Sequence, residues 1–154
     1  MPEIHINNPD WDEMLKDHAE HRHQGAKFLT WHSEFIARFE ALLRSLPEAD
    51  RPAEESIEPW SEIPEDLKTA TMWESEWDKR ETRLHGKIAS FKGLEELATY
   101  INPLHGVLHR AVAEVYADAN IASVSRAPRS TYFWQLHGLV EHWHQEWRSA
   151  QSTV

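Results

Sequence analysis

The sequence contains no cysteine. Disulfide bonds, thiolate metal ligands and cysteine nucleophiles are therefore excluded, and any metal site must rest on histidine and carboxylate side chains. Basic residues are also scarce, because 16 Lys and Arg stand against 26 Asp and Glu and leave a formal charge of -10. A surface this acidic repels phosphate backbones and anionic lipids, so we expect neither nucleic acid nor a membrane as a partner.

Long apolar segments are missing as well. No run approaches the roughly 20 apolar residues that a membrane-spanning helix needs. The first residues, Met1 to His5, lack the basic and apolar regions of a secretory signal. We therefore expect a soluble, cytoplasmic protein.

The chain is rich in apolar and aromatic side chains for its size. Its 154 residues include eight Trp and are 40% hydrophobic, which suits a single domain over residues 1–154 with a substantial core. Residues 27–46 carry apolar side chains at three-and-four spacing, which predicts an amphipathic helix that Pro47 ends. His32 lies on the apolar stripe of that helix.

Similar patterns predict the other elements. Asn8 to Asp10 and Ser130 are suited to cap helices. Four of the eight prolines lie in residues 47–64, which predicts an extended surface connection. The predicted helices cover residues 11–21, 27–46, 65–91, 94–101, a segment from Pro103 through Tyr116, and 131–149, with a polar loop at 120–129. Long helical segments with short connections predict an all-α, antiparallel four-helix bundle.

Histidines recur within these apolar patterns. His105 and His109 are four residues apart, so their rings lie on one helix face at a spacing that can chelate one ion. His32 and His137 lie among large apolar residues, where an imidazole without a ligand needs other hydrogen-bond partners. Neutral imidazole is a ligand of copper, zinc and iron at pH 7, so the pattern predicts a buried metal site.

The wider sequence around His32 and the carboxyl-terminal histidines resembles the type 3 dicopper family of tyrosinases, catechol oxidases and molluscan haemocyanins. The copper A signature is matched by His23, by Phe28-Leu29-Thr30-Trp31-His32 with Thr30 in place of Pro, and by Phe39-Glu40. The copper B signature is matched by His105, His109, His137 and Trp147, with Leu136 in place of a non-ligand His and Glu141 in place of Asp.

One ligand of the first copper site is open. The segment from Trp11 to His18 is similar to the family helix that ends in this ligand, which favours His18. His21 is a competitor because His18 lies unusually close to His23. His5 is a third candidate, since its distance from His23 is nearer to the usual one.

The resemblance implies two copper ions, each bound by three histidines, that use dioxygen to oxidise a small phenolic substrate. The ligands would be His18, His23 and His32 on one ion and His105, His109 and His137 on the other. The expected reaction converts o-diphenols or o-aminophenols to quinones. The bundle would enclose the dinuclear centre, and this unusually short member would leave the pocket open or closed by a second copy of the chain.

Three further residues carry expectations from the resemblance. Glu96 lies where bacterial tyrosinases have a Glu that holds a water near the coppers, and such a carboxylate can accept a phenol proton. Gly106 stands in place of the Asn that also holds this water, so monophenol hydroxylation should be weak or absent. Glu141, one turn after His137, is expected to orient a ligand imidazole.

Two other functions fit parts of the pattern. A dioxygen or copper binder without enzymatic activity could use the same histidines. A di-iron carboxylate bundle could use Glu20-x-x-His23, Glu141-x-x-His144, Glu40 and Glu96, but it leaves the four histidines of the apolar segments without a role. The remaining expectations are that His85, His142 and His144 are surface residues and that Trp31, Trp134 and Trp143 belong to the core.

Overall fold

The computed structural model describes residues 2–21 and 25–152. Within these ranges the chain forms five α-helices: α1 (Pro9–Glu20), α2 (Gly25–Ser45), α3 (Ser75–Gly86), α4 (Leu94–Val115) and α5 (Thr131–Gln151). The β pairing found there is one isolated bridge between Glu3 and Ser130. The all-α class is therefore confirmed. None of the helices in the described ranges combines the length and apolarity that crossing a membrane requires.

The predicted caps explain where two helices begin. The Asn8 side chain accepts a hydrogen bond from the Asp10 amide, 2.8 Å away, and Pro9 follows at the first helical position. Ser130 accepts from the Tyr132 amide at the start of α5. Both side chains satisfy amides that lack a partner within the helix.

Three helices form the centre of the molecule. α2 packs against both α4 and α5, which also contact each other, while α1 lies on α2 and α3 lies on α4. α4 supplies the largest share of the core through a fully buried stripe consisting of Leu97, Ala98, Ile101, Leu104, Leu108, Ala111 and Val112. The five predicted metal ligands within the described residues come from α1, α2, α4 and α5, so this packing determines how they meet.

The long helix predicted for residues 65–91 is wrong. Residues Glu65–Thr69 form a 3₁₀ turn, and α3 begins only at Ser75. The Thr71 amide donates to the Glu114 carboxylate of α4, 2.7 Å away, instead of to a carbonyl one turn earlier. Leu67, which lies in this 3₁₀ turn, is buried without the turn continuing into a helix. Contacts with α4 therefore outweigh the helical periodicity of this segment.

The break predicted before Pro103 is also absent, because α4 continues through it from Leu94 to Val115. Proline removes one backbone hydrogen bond and typically costs about 3 kcal/mol inside a helix. The neighbouring Ile101 and Leu104 are fully buried, and burial of such side chains offsets that cost. His105 and His109 consequently lie on one continuous helix.

The connection predicted to run over the surface is exposed or half-exposed over residues 47–62, as expected, but its last part also packs on α5. Pro59 lies against Gly138 so closely that a Cβ at Gly138 would be 2.5 Å from the Pro59 Cβ. The Trp60 amide donates to the Gln135 carbonyl at 3.0 Å, and Ile63 is buried. Its apolar residues are spaced without helical or strand period, which is why the sequence pattern did not reveal their burial.

Candidate metal centre

Five of the six predicted ligands converge on one region of the fold. His18 comes from α1, His32 from α2, His105 and His109 from α4, and His137 from α5. All except His137 line one cavity of about 300 Å³, and His137 is buried outside the lining. The sixth, His23, lies outside the described residues. The helix packing thus brings together histidines that are up to 119 positions apart in the chain (137 minus 18).

Four of these five imidazoles are held in the same way, by a backbone carbonyl at Nδ1. The pairs are His18 with Val124 (2.7 Å), His32 with Phe28 (2.6 Å), His109 with Ile121 (3.2 Å) and His137 with Phe133 (2.7 Å). A carbonyl oxygen only accepts, so each Nδ1 carries the proton and the neutral ring presents a lone pair at Nε2. This is how proteins commonly orient histidines that bind metals through Nε2.

His105 Nε2 lies close to the Nε2 atoms of two other histidines. His105 Nε2 lies 2.9 Å from His137 Nε2 and 2.9 Å from His109 Nε2. His109 and His137 each present a lone pair at Nε2, so both contacts need a donor. A neutral His105 has at most one proton on Nε2, and this proton can form a hydrogen bond with only one of the two rings. Two nitrogen ligands that are about 2.05 Å from one ion and at right angles to each other are separated by about 2.9 Å. Each of these two pairs therefore has a spacing that fits a shared cation, whereas the three-residue group that fits one ion joins His105 and His137 to His32 and does not include His109.

His32 joins this cluster from the opposite helix. The ligand nitrogens of His32, His105 and His137 all lie within 4.8 Å of one another, which allows these three residues to hold one metal ion. The His32 ring is also stacked on His137, with centroids 4.7 Å apart and planes at 15°. His32, a predicted ligand of the first copper, is thus in contact with His137, a predicted ligand of the second.

Burial keeps the deepest imidazoles neutral. Desolvation lowers the pKa of His18 to about 4, and its bond to the Val124 carbonyl offsets only part of this effect. Desolvation, followed by the proximity of His32, His105 and His109, also holds the pKa of His137 well below its ordinary value. Both side chains therefore present the neutral form that binds metals at pH 7.

The three candidates for the open ligand have different surroundings. His18 lines the cavity, and its ring centroid is 6.1 Å from that of His32. His21 is stacked on Trp31 and lies at a similar 6.4 Å from His32, but it lines a separate surface cleft. The His5 side chain is 79% exposed beside Glu3 and is not part of the cavity lining. The choice of His18 stays a prediction.

Glu96 is directed away from the histidines. Its Oε2 accepts from the Lys92 amide at 2.8 Å, and its Oε1 lies 3.7 Å from Arg83. Its catalytic role stays a prediction that no contact among the described residues supports. Gly106, in contrast, lines the cavity, and a Cβ there would meet no atom within 4 Å. The cavity therefore has room for a side chain at this position.

The expected partnership of Glu141 with the His137 ring is wrong. Ser33 donates to both Glu141 oxygens at 2.6 and 2.7 Å, and the Phe133 carbonyl, one turn before His137, accepts the hydrogen bond from His137 Nδ1. Burial alone would raise the Glu141 pKa, but hydrogen bonds from His144, Ser33 and another neighbour lower it. Glu141 therefore links α2 to α5 rather than orienting a ligand.

The other aromatic predictions have mixed outcomes. Trp134 and Trp143 are buried, as expected, and Trp31 is half-buried. His85 and His142 are exposed, as expected. The prediction for His144 is wrong, because this residue is buried and faces Glu141, with 3.8 Å between Nδ1 and Oε2.

Two contributions to the site were not apparent from the sequence. The loop at 120–129 supplies the Ile121 and Val124 carbonyls that hold two of the histidines, and a backbone carbonyl has no sequence signature. Arg110 is exposed and is the only Arg, Lys, Asp or Glu among the described residues that line the cavity. The sequence indicated its place near the site only through its position directly after His109.

Comparison of the chain with models of known protein families, with curated proteins and with solved structures gave no match. The donor set must therefore be judged on its own chemistry. Imidazole nitrogens suit zinc, copper, nickel and iron. Across the described ranges, the group of three or more His, Asp or Glu residues that fits one ion consists of His32, His105 and His137, with no carboxylate.

Proposed function

We propose that this chain is a dicopper protein that uses dioxygen to oxidise o-diphenols or o-aminophenols to quinones. One observation carries the proposal: four imidazoles line one cavity, the buried His137 contacts two of them, and backbone carbonyls fix four of these five rings with the proton on Nδ1 rather than Nε2. Such an all-histidine set agrees with the copper signatures in the sequence.

The proposed ligands divide between two ions. His105, His109 and His137 hold one, and His18 and His32, together with His23, hold the other. Copper has the highest affinity of the divalent first-row metals for such nitrogen sites. When bound, the copper pair supplies the electron-transfer chemistry with dioxygen that no amino-acid side chain provides.

The protein itself contributes orientation and a largely apolar pocket. The Phe28 and Phe133 carbonyls hold the His32 and His137 rings, so little motion is needed when a metal binds. The cavity measures about 300 Å³, while an apolar cavity of about 150 Å³ takes up benzene. There is thus space for one substituted aromatic ring beside the histidines.

The overall reaction balances without another reactant. Each o-diphenol loses two electrons and two protons when it becomes a quinone. One dioxygen accepts four electrons and four protons and yields two waters. Two substrate molecules are therefore consumed for each dioxygen, and this ratio can be measured.

The carboxylate bundle fits the described structure less well. Glu20 and Glu40 are exposed, and Glu141 is hydrogen-bonded to Ser33. No carboxylate of the described residues belongs to the three-histidine group. A dioxygen carrier would use the same site as the oxidase, so the two functions are distinguished by measuring whether a phenolic substrate is oxidised.

The test is copper loading followed by turnover. We expect two coppers per chain and oxygen consumption with 4-methylcatechol. His137→Ala should lose one copper because it removes a ligand at the centre of the cluster, whereas His142→Ala, an exposed control, should retain both. One copper per chain would contradict the dinuclear site. Reversible oxygenation without oxidation of any catechol or aminophenol would show a carrier, and iron binding with indifference to copper would favour the carboxylate bundle.

A further inference from the structure

We propose that Arg110 binds an anionic group of the substrate, and that the substrate class is a carboxylate-bearing o-diphenol or o-aminophenol. The inference rests on the proposed oxidase function and adds a specificity-determining residue to the same cavity. It starts from the charge of the lining: apart from the histidines, Arg110 is the only ionisable residue among the described residues that line the cavity.

No ion pair between described residues involves the guanidinium of Arg110, whereas Arg38, Arg80 and Arg83 each pair with a carboxylate. Five other described arginines also form no such pair, so what distinguishes Arg110 is its place in the cavity lining. A planar guanidinium presents a fork of N–H donors that matches a carboxylate in two parallel hydrogen bonds.

The rest of the lining determines where a charge can be accommodated. Ile121, Val124 and three alanines (Ala113, Ala122, Ala127) make the wall apolar. A carboxylate against this wall would lose its hydration without gaining a partner, which is unfavourable. An aromatic ring gains by burial there. A ligand with a ring at the histidines and an anionic group at Arg110 satisfies both parts.

Gly106 leaves the path to Arg110 open. The two residues are four apart on α4, so they lie on the same helix face, and both line the cavity. A Cβ at Gly106 would meet no atom within 4 Å. The missing side chain therefore provides space along which the tail of a substrate can extend from the ring towards the guanidinium.

The experiment compares 3-(3,4-dihydroxyphenyl)propionate with its methyl ester on the copper-loaded protein. The two compounds share the reacting ring and differ in charge. We expect kcat/KM to favour the acid about tenfold, equivalent to about 1.4 kcal/mol, chiefly through KM. Arg110→Gln should reduce this preference to about one, and added salt should weaken it in the wild type. Arg126→Gln, an exposed arginine outside the cavity lining, should retain it.

A binding measurement separates this inference from the proposed function. Tryptophan fluorescence can follow titration of the copper-loaded protein with 3-phenylpropionate and with its amide, neither of which is oxidised. We expect the wild type to bind 3-phenylpropionate more tightly than the amide, and we expect Arg110→Gln to lose this preference. Equal binding of acid and amide, or a preference that survives the substitution, would overturn the inference. Absence of catechol oxidation together with Arg110-dependent binding would overturn the oxidase and leave the anion site in place.

Discussion

Acidification should destabilise the metal-free protein through its buried histidines. His18 has a pKa of about 4 in the folded chain, against 6.5 for an ordinary histidine. Between these values the unfolded chain binds a proton that the folded chain does not bind. The stability that this residue contributes is therefore complete above pH 6.5 and is lost progressively as the pH falls towards 4.

The size of the effect follows from the interval between the two pKa values. Each pH unit corresponds to about 1.36 kcal/mol, so at pH 5 the His18 contribution is reduced by about 2 kcal/mol and below pH 4 by about 3 kcal/mol. The depressed pKa of His137 acts in the same direction and increases the loss. Against a total stability of about 5–15 kcal/mol for a domain, this change is readily measured.

Urea unfolding followed by tryptophan fluorescence, with a chelator present, provides the measurement. The variants are His18→Asn, whose amide can still donate to the Val124 carbonyl, and His142→Asn, an exposed control. Acidification also reduces the repulsion among surface carboxylates, but it does so equally in all three proteins. From pH 7.5 to 5, the wild type and the control should lose about 2 kcal/mol more than His18→Asn. An identical pH dependence in all three would refute the reasoning.

Three further predictions concern packing and metal binding. Gly138→Ala should cost about 1–3 kcal/mol in urea unfolding, because the new Cβ meets Pro59, and an unchanged midpoint would contradict that contact. Gly25→Ala should cost about 1–2 kcal/mol, since Gly25 has φ of +57° and its new Cβ would lie 2.8 Å from the Glu95 carboxylate; a stabilised variant would show this close approach to be wrong. Zn²⁺ at 100 times its Kd should raise the unfolding free energy by about 2.7 kcal/mol, and no thermal shift would argue against a preformed site.

The sequence predicted helices well where one apolar stripe runs without interruption. α2 and α5 begin and end within two residues of the predicted bounds, since their stripes are continuous and Pro47 and Ser130 mark their limits. The failures lie where a distant residue decides the local structure. Thr71 leaves the helical path because Glu114, 43 positions later, accepts its amide.

The site was predictable to a different extent from the fold. The i, i+4 spacing of His105 and His109 fixes their common helix face, and both do line one cavity with His32. The partners of the rings could not be read from the sequence. Glu141 was expected to orient a ligand imidazole because it lies one turn after His137, yet the Phe133 carbonyl of the same helix is already in place one turn before that ring.

The use of carbonyls instead of carboxylates has a consequence for the metal. Four of the described histidines have a neutral carbonyl rather than a carboxylate at Nδ1, and the cavity wall formed by Ile121, Val124 and Ala127 is apolar. A higher ionic charge is more costly in such surroundings, so the site should stabilise a monovalent ion relative to a divalent one. We therefore expect the proposed coppers to favour Cu(I). Val124→Glu, which adds a carboxylate at the rim, should lower the reduction potential of the copper-loaded protein, whereas Val124→Gln should change it little.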